Sequence, residues 1–385
     1  MTETPSSVSL LSDAAQPIVA ATATALAARM PEISVAFYQR LFDAHPELLD
    51  GMFSRANQAT GRQASALASS IVTFAVLMLD GDHPIDLVRR IAHRHASLGV
   101  SPQQYAVVYE HLFAAIAADL GDAATDAVVA AWTEVYWLFA DLLVAEESRL
   151  HNSQPNPAFW AEWRVADSTL ASSTVRSMTF TPTDDTPIAD ALPGQYVSVR
   201  VPAADGLRQV RQYSLLSPGQ VRRIAVKRDD GGEVSPVLHG LQPGAIVEIS
   251  NPYGELTLDE SDRPLVLATA GIGCTPALGF LEGLTAAGSD RRVMVLHADR
   301  SHDQWALRSE VANNVQQLKN GTLHTWLDGR RMRLEDVQLP ENPVVVMCGP
   351  LGFMKSLRDQ AVAAGIADED VRYEMFGPDV WLKSV

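Results

Sequence analysis

From Leu10 to about Leu150, apolar residues recur at three- and four-residue intervals, as in AAQPIVAATATALAARM and YAVVYEHLFAAIAADLG. That is the period of helices that each bury one face. Breakers punctuate the run: Pro31 suits the first turn of a helix, and Pro46 falls where the next should break. Ser101-Pro102 reads as an N-cap followed by proline at the first helical position, and Gly121 supplies a left-handed stop. Asp122–His151 reads as one long amphipathic helix carrying Trp132, Tyr136, Trp137 and Phe139. Six or seven helices without strand-like alternation predict an all-α domain.

His151-Asn-Ser-Gln-Pro-Asn-Pro157 is polar, contains two prolines and reads as a linker. Beyond it the period drops to two. STVRSMTFTPT, GQYVSVRVP, VRQYSLLS, RRIAVKRDD and AIVEISNPYG alternate between Gly and Pro breaks, the pattern of a short-stranded antiparallel barrel. From Pro264 the strands become almost continuously apolar (PLVLATA, RRVMVLHA, PVVVMCG) and alternate with helical stretches, which predicts a parallel sheet with crossover helices. The expected domains are 1–151, 152–262 and 263–385.

Composition narrows the function. Thirty basic against 46 acidic residues leave a formal charge of −16, which argues against nucleic acid as a partner. Cys274 and Cys348 are too few for a disulfide framework or a closed zinc site. The opening MTETPSSVSL lacks a signal-peptide pattern, and no stretch runs apolar for about 18 residues without a charge or breaker. A cytoplasmic monomer without integral membrane association is the expectation.

The candidate chemistry of the carboxy-terminal half lies in ordered motifs. Ala270-Gly-Ile-Gly-Cys-Thr-Pro276 follows a buried strand and opens a helix, where backbone can approach a pyrophosphate. Arg211-Gln-Tyr-Ser214 lies at a barrel strand and offers an anion-binding guanidinium, a ring and a polar edge. Lys227–Ser235, Cys348-Gly-Pro350 and Glu374-Met-Phe-Gly-Pro378 complete the set. From about Trp160 to Pro378 the chain resembles the ferredoxin-reductase-like flavin reductases. That resemblance implies FAD contacts by Tyr196, Arg211, Gln212, Tyr213, Ser214, Gly232, Val234 and Ser235, with Phe376 against the isoalloxazine. It implies that Gly271, Gly273, Thr275, Pro276, Cys348, Gly349 and Pro350 face the nicotinamide nucleotide. Cys274 belongs to the same motif but fills a variable slot without a role of its own.

In the helical half, Arg90-Ile-Ala-His-Arg-His-Ala-Ser97 carries two histidines on different helix faces, so at most one faces a cofactor. His95, followed by a break at Gly99 and a new helix at Ser101, resembles the proximal corner of globins, and His93 is expected at solvent or at a haem edge. Phe37-Tyr38 on a second helix, Phe53, Asn57-Gln58, Gln63 and Leu67 follow in the order of a globin distal pocket. With the reductase attached, the whole chain resembles the flavohaemoglobins. This implies that His95 ligates haem iron, that Tyr38 and Gln63 form a polar distal side, and that Phe53 and Leu67 pack over haem b. Tyr105 and Glu147 would stand behind His95 and make it more electron-donating.

The resemblance implies a nitric oxide dioxygenase: NAD(P)H reduces FAD, single electrons reach haem, and O2 converts nitric oxide to nitrate. Alternatives are an alkyl or lipid hydroperoxide reductase with the same cofactors, or a haem gas sensor. The stretch between Thr325 and Pro340 is shorter than in the best-known relatives. After the second parallel strand, His297-Ala-Asp-Arg-Ser301 offers opposing signals: Asp299 for a ribose hydroxyl, Arg300 for a 2′-phosphate. The resemblance alone favours NADH over NADPH.

Overall fold

A computed structural model describes residues 11–53, 55, 62–81 and 84–377, without the side chains of residues 62–65 and 68. Two compact units result, one from the described residues up to Ser153 together with Gly377, and one from Gln154–Phe376. The division falls inside the polar segment His151–Pro157.

The first unit is helical: α1 (Ala15–Ala44), α2 (Arg62–Asp80), α3 (Ile85–Leu98), α4 (Pro102–Leu120) and α5 (Asp126–Asn152). Helix α1 packs on α2, α4 and α5, and α3 packs on α5. Where a new helix was expected at Pro31, α1 instead runs through it, so Tyr38 lies on the first helix and the described helices number fewer than expected. Pro31 is exposed, whereas Met30, Ile33, Ser34 and Phe37 form a continuous buried face. Packing of that face outweighs the lost backbone bond, which on its own costs about 3 kcal/mol. Helices α1 and α5 are long and apolar enough by length and composition to cross a membrane. Each buries one face in the helical core, as where Phe139 of α5 stacks on Phe74 of α2 at 4.5 Å.

The corner after α3 follows local rules. Gly99 takes φ 74°, a left-handed conformation that other residues adopt at a cost, and its N–H returns to Ala96. Ser101 and Gln104 then form a reciprocal capping box that starts α4 with Pro102 in its first turn.

The second unit holds two sheets. Strands β1 (Trp160–Leu170), β2 (Val175–Pro182), β3 (Tyr196–Pro202), β4 (Arg208–Ser214), β5 (Arg222–Lys227) and β6 (Ile246–Ser250) pair antiparallel in the order β4-β3-β6-β1-β2-β5. A bridge between Leu215 and Ile224 joins the ends of that order, so the sheet curls into a barrel around Trp163, Met178, Phe180, Val199 and Ile249. A short helix, α6 (Ser235–Gly240), precedes β6. The parallel sheet has the order β11-β10-β7-β8-β9, from β7 (Leu265–Ala270), β8 (Val293–Ala298), β9 (Gly321–Trp326), β10 (Val344–Cys348) and β11 (Val371–Glu374). Its crossovers contain α7 (Cys274–Ala286), α8 (Arg308–Gln317) and α9 (Leu351–Ala363). Val175, Leu216 and Ala225 from the barrel side share one core cluster with Leu267, Leu278 and Val295. Arg223 of β5 lies 3.6 Å from Glu282 of α7 and pairs with Glu310 of α8, adding polar ties between the two layers.

Candidate functional site

In the helical unit, three side chains from three helices meet. His95 Nδ1 lies 2.9 Å from the Tyr105 hydroxyl and 2.8 Å from Glu147 Oε1, and the same hydroxyl donates to Glu147 Oε1 at 2.5 Å. Glu147 and Tyr105 are buried, and His95 is part-exposed. Burial, reinforced by Glu147, pushes the Tyr105 phenol far above its ordinary range, so it stays a neutral donor. Since that phenol donates to Glu147, the proton on Nδ1 serves as donor to both oxygens, and the lone pair lies on Nε2. No hydrogen bond engages Nε2 among the described residues. Three His, Cys, Asp or Glu side chains that could share a metal do not cluster among the described residues. A metal at His95 must therefore bring its other ligands with it, as haem does. The arrangement fits a haem held through Nε2 with a donating imidazole.

A second group is aromatic. Tyr38 stacks on Phe42 at 5.6 Å, and Phe53 meets both rings edge-on at 6.0 and 5.3 Å. Leu67 is half-buried on α2. The side chain of Gln63, and the whole of Asn57 and Gln58, lie outside the described residues. His93 is buried rather than solvated: it shares the face of α3 that includes Ala92, Ala96 and Ser97. Two contributors escaped sequence reasoning. Tyr136 donates to the Tyr105 carbonyl at 2.7 Å and so holds the backbone behind the histidine, and Phe42 supplies the stacking partner of Tyr38. Helical spacing marked Tyr136 only as a core residue.

On the barrel, β3 and β4 pair Tyr196 with Ser214 and Val197 with Tyr213. Arg211 Nη1 donates to the Val210 carbonyl at 2.7 Å, and no carboxylate pairs with it among the described residues. Burial lowers the Arg211 pKa, against the opposing influence of Tyr213, Glu233 and Asp229. A part-buried cation with no carboxylate paired to it among the described residues, though Glu233 and Asp229 act on it from farther away, fits a phosphate. Tyr213 packs against the barrel core, with its phenol pushed up by burial, and Gln212 Nε2 reaches Ser198 Oγ at 3.4 Å. Ser235 Oγ accepts from the Asp229 N–H at 2.9 Å, closing the loop that carries Gly232. Val234 turns its side chain into the barrel core, so only its backbone is left for a ligand. Phe376, after β11, is 46% exposed.

The parallel sheet reverses its strand order between β7 and β10, and ligands of open α/β sheets bind outside the carboxyl ends at that reversal. Both glycine motifs lie there. A Cβ on Gly273 would fall 2.2 Å from the Cys348 carbonyl oxygen, so only glycine permits this approach. Gly349 and Pro350 then lead into α9. Thr275 is buried, its hydroxyl donating to the Ile272 carbonyl at 3.0 Å. Pro276 is likewise buried in the first turn of α7. Cys274 and Cys348 are buried thiols; burial first, then Asp299, pushes Cys274 up to about 12, and burial with Glu374 raises Cys348. Neither is a thiolate nucleophile.

A globin profile matches residues 35–143, and an oxidoreductase FAD-binding domain profile matches residues 162–258. A flavohemoprotein of Rhizobium meliloti is 36% identical over 97% of this chain and 100% of its own length. One from Deinococcus radiodurans is 40% identical, with 94% and 96% covered. Among solved structures, the flavohemoglobin of Malassezia yamatoensis with bound FAD and heme matches with a TM-score of 0.91 at 41% identity, covering 95% of this chain and 100% of that one. The FAD/NAD binding domain of a nitric oxide dioxygenase from Vibrio cholerae matches at 31% identity and a TM-score of 0.53, covering 57% of this chain and 99% of that one.

Proposed function

The chain belongs to the flavohaemoprotein family, and from that premise we propose that it oxidises nitric oxide to nitrate with O2, using electrons from NAD(P)H. Its cofactors are haem and FAD, with NAD(P)H at the reductase. When bound, FAD splits a hydride from NAD(P)H into single electrons, and haem supplies the iron where O2 and nitric oxide react.

The observation that carries the reading is the His95–Tyr105–Glu147 triangle. Glu147 and Tyr105 hold the Nδ1 proton, orient the imidazole and increase the electron density offered at Nε2. Tyr38 would donate to a polarised haem ligand, with Phe42 and Phe53 around its ring restricting water and Leu67 assigned to the same pocket. Gln63 is assigned to the same polar side. Arg211 would neutralise a flavin phosphate, and Tyr196, Tyr213 and Ser214 would line the same cofactor. Gly271, Gly273 and Gly349 let backbone approach the nucleotide.

Hydroperoxide reduction is the second reading, because the same donating imidazole serves it. Steady-state consumption of nitric oxide and of alkyl hydroperoxides, measured on one preparation with NAD(P)H, tests the choice. Nitric oxide consumption far faster than hydroperoxide consumption supports the dioxygenase; the reverse order overturns it. A gas sensor has less support, since it needs neither Arg211 nor the paired glycine motifs. The proposal includes a cytoplasmic location, in keeping with two free, buried cysteines, a monomeric state, and domain limits at 1–151, 152–262 and 263–385.

A further inference from the structure

The loop that follows β8 gives a reason to depart from NADH. In parallel sheets of this kind, the residue just beyond the second strand from the glycine turn reads the adenosine ribose: a carboxylate for a free 2′-hydroxyl, an arginine for a 2′-phosphate. Asp299 and Arg300 occupy that place here, and their environments differ. Asp299 Oδ1 accepts the Arg300 N–H at 2.7 Å, and Oδ2 faces His297 Nε2 at 3.6 Å, leaving the side chain 9% exposed. His297 is itself fixed: it is buried, stacked on Trp305 at 4.4 Å, with Nδ1 2.8 Å from the Thr269 hydroxyl. A ribose-reading carboxylate must present its oxygens to sugar hydroxyls, and this one is turned into the protein.

Arg300 is exposed, and its guanidinium makes no hydrogen bond or ion pair among the described residues. Exposed Arg308 opens α8 at the end of the loop, and its Nη1 donates to His302 Nδ1 at 2.6 Å, which makes that nitrogen an acceptor rather than a cationic N–H. The exposed acid of the loop is Asp303. In a chain of net charge −16, an exposed guanidinium with no carboxylate partner among the described residues stands out at the ribose position.

We propose that Arg300 reads a 2′-phosphate and that the reductase of this chain takes NADPH in preference to NADH. The inference rests on the reading of the second unit as an NAD(P)H-dependent flavin reductase. Calorimetric titration of the haem- and FAD-loaded protein with 2′,5′-ADP and with 5′-AMP tests it without turnover. The expected result is 2′,5′-ADP binding about ten- to a hundredfold tighter, the range of a charge-assisted contact. That preference should shrink with added salt. Arg300→Ala is expected to bring 2′,5′-ADP to the affinity of 5′-AMP, and Arg300→Lys to keep part of the difference. Equal or tighter binding of 5′-AMP, or a preference that survives Arg300→Ala, overturns the proposal. Anaerobic bleaching of the flavin by each coenzyme separates the two levels. If neither bleaches it, the reductase reading itself falls; if both do and no 2′-phosphate preference exists, only the role of Arg300 falls.

Discussion

At the scale of single residues, the two candidate centres rest on groups with one interaction left open. Among the described residues, His95 is held at Nδ1 and open at Nε2, and the part-buried guanidinium of Arg211 has its one hydrogen bond to a neutral carbonyl. Arg211→Ala removes a desolvated charge that costs the empty protein free energy, so FAD affinity and stability should move apart. FAD binding is expected to weaken about ten- to a hundredfold, while the flavin-free variant unfolds at no lower urea concentration than the flavin-free wild type. Reconstitution titrations and urea melts check this; parallel losses in both would make Arg211 a structural residue. Tyr38→Phe keeps the ring stacked on Phe42 and deletes the donor. A hydrogen bond to a charged acceptor is worth about 1.5–3 kcal/mol, so oxygen should dissociate about ten- to a hundredfold faster from the reduced holoprotein. Carbon monoxide, a much less polar ligand, should change far less. Equal effects on the two gases in stopped-flow measurements would reduce Tyr38 to a steric wall.

At the scale of elements, α1 shows where local rules lose to packing. Pro31 forfeits a backbone bond to the Ala27 carbonyl, yet the buried face on either side of it keeps the helix whole. Pro31→Ala restores the bond at an exposed position and is expected to raise unfolding stability by about 1–3 kcal/mol, read as a shifted denaturant midpoint. An unchanged midpoint would mean that the chain already relieves the proline locally. Propensity marks a proline as a boundary, and only the tertiary partners of Met30, Ile33 and Phe37 override it, so the merger was not legible in sequence. Apart from the return bond from Gln104, which was not read, the corner from Gly99 to Pro102 was legible, because a glycine break and an N-cap followed by proline are local chemistry. So was the parallel sheet, from its unbroken apolar strands. The approach of Gly273 to Cys348 was hidden, since 75 residues of chain separate motifs that meet only once the strand order reverses. Tyr136 and Phe42 stayed hidden for another reason: an aromatic residue at helical spacing is a core residue by default, and nothing in its neighbours distinguishes a positioning bond.

At the scale of the whole molecule, the chain is two compact units, the helical one with buried apolar residues such as Phe37, Phe74 and Leu112 and the second with its own core clusters, and the haem-holding and flavin-holding groups fall in different units. Domains with separate cores fold and fail separately unless a cofactor is shared. His95→Ala deletes the one side chain of the triangle with an open nitrogen, and it leaves Tyr105 and Glu147 still bonded at 2.5 Å. Arg211, the Gly273–Cys348 approach and the barrel core all belong to the second unit. The expected protein therefore binds haem poorly and consumes no nitric oxide, while its FAD content and its NAD(P)H-dependent reduction of an added dye stay within about twofold of wild type. A residual difference of that size is what a change of roughly 0.4 kcal/mol would give, within the range of effects between distant, independent sites. Haem absorbance, flavin content and dye reduction measured on the same sample decide the matter. If dye reduction disappears while circular dichroism shows both units folded, the flavin chemistry depends on the helical unit, and the division of labour drawn from separate cores is wrong.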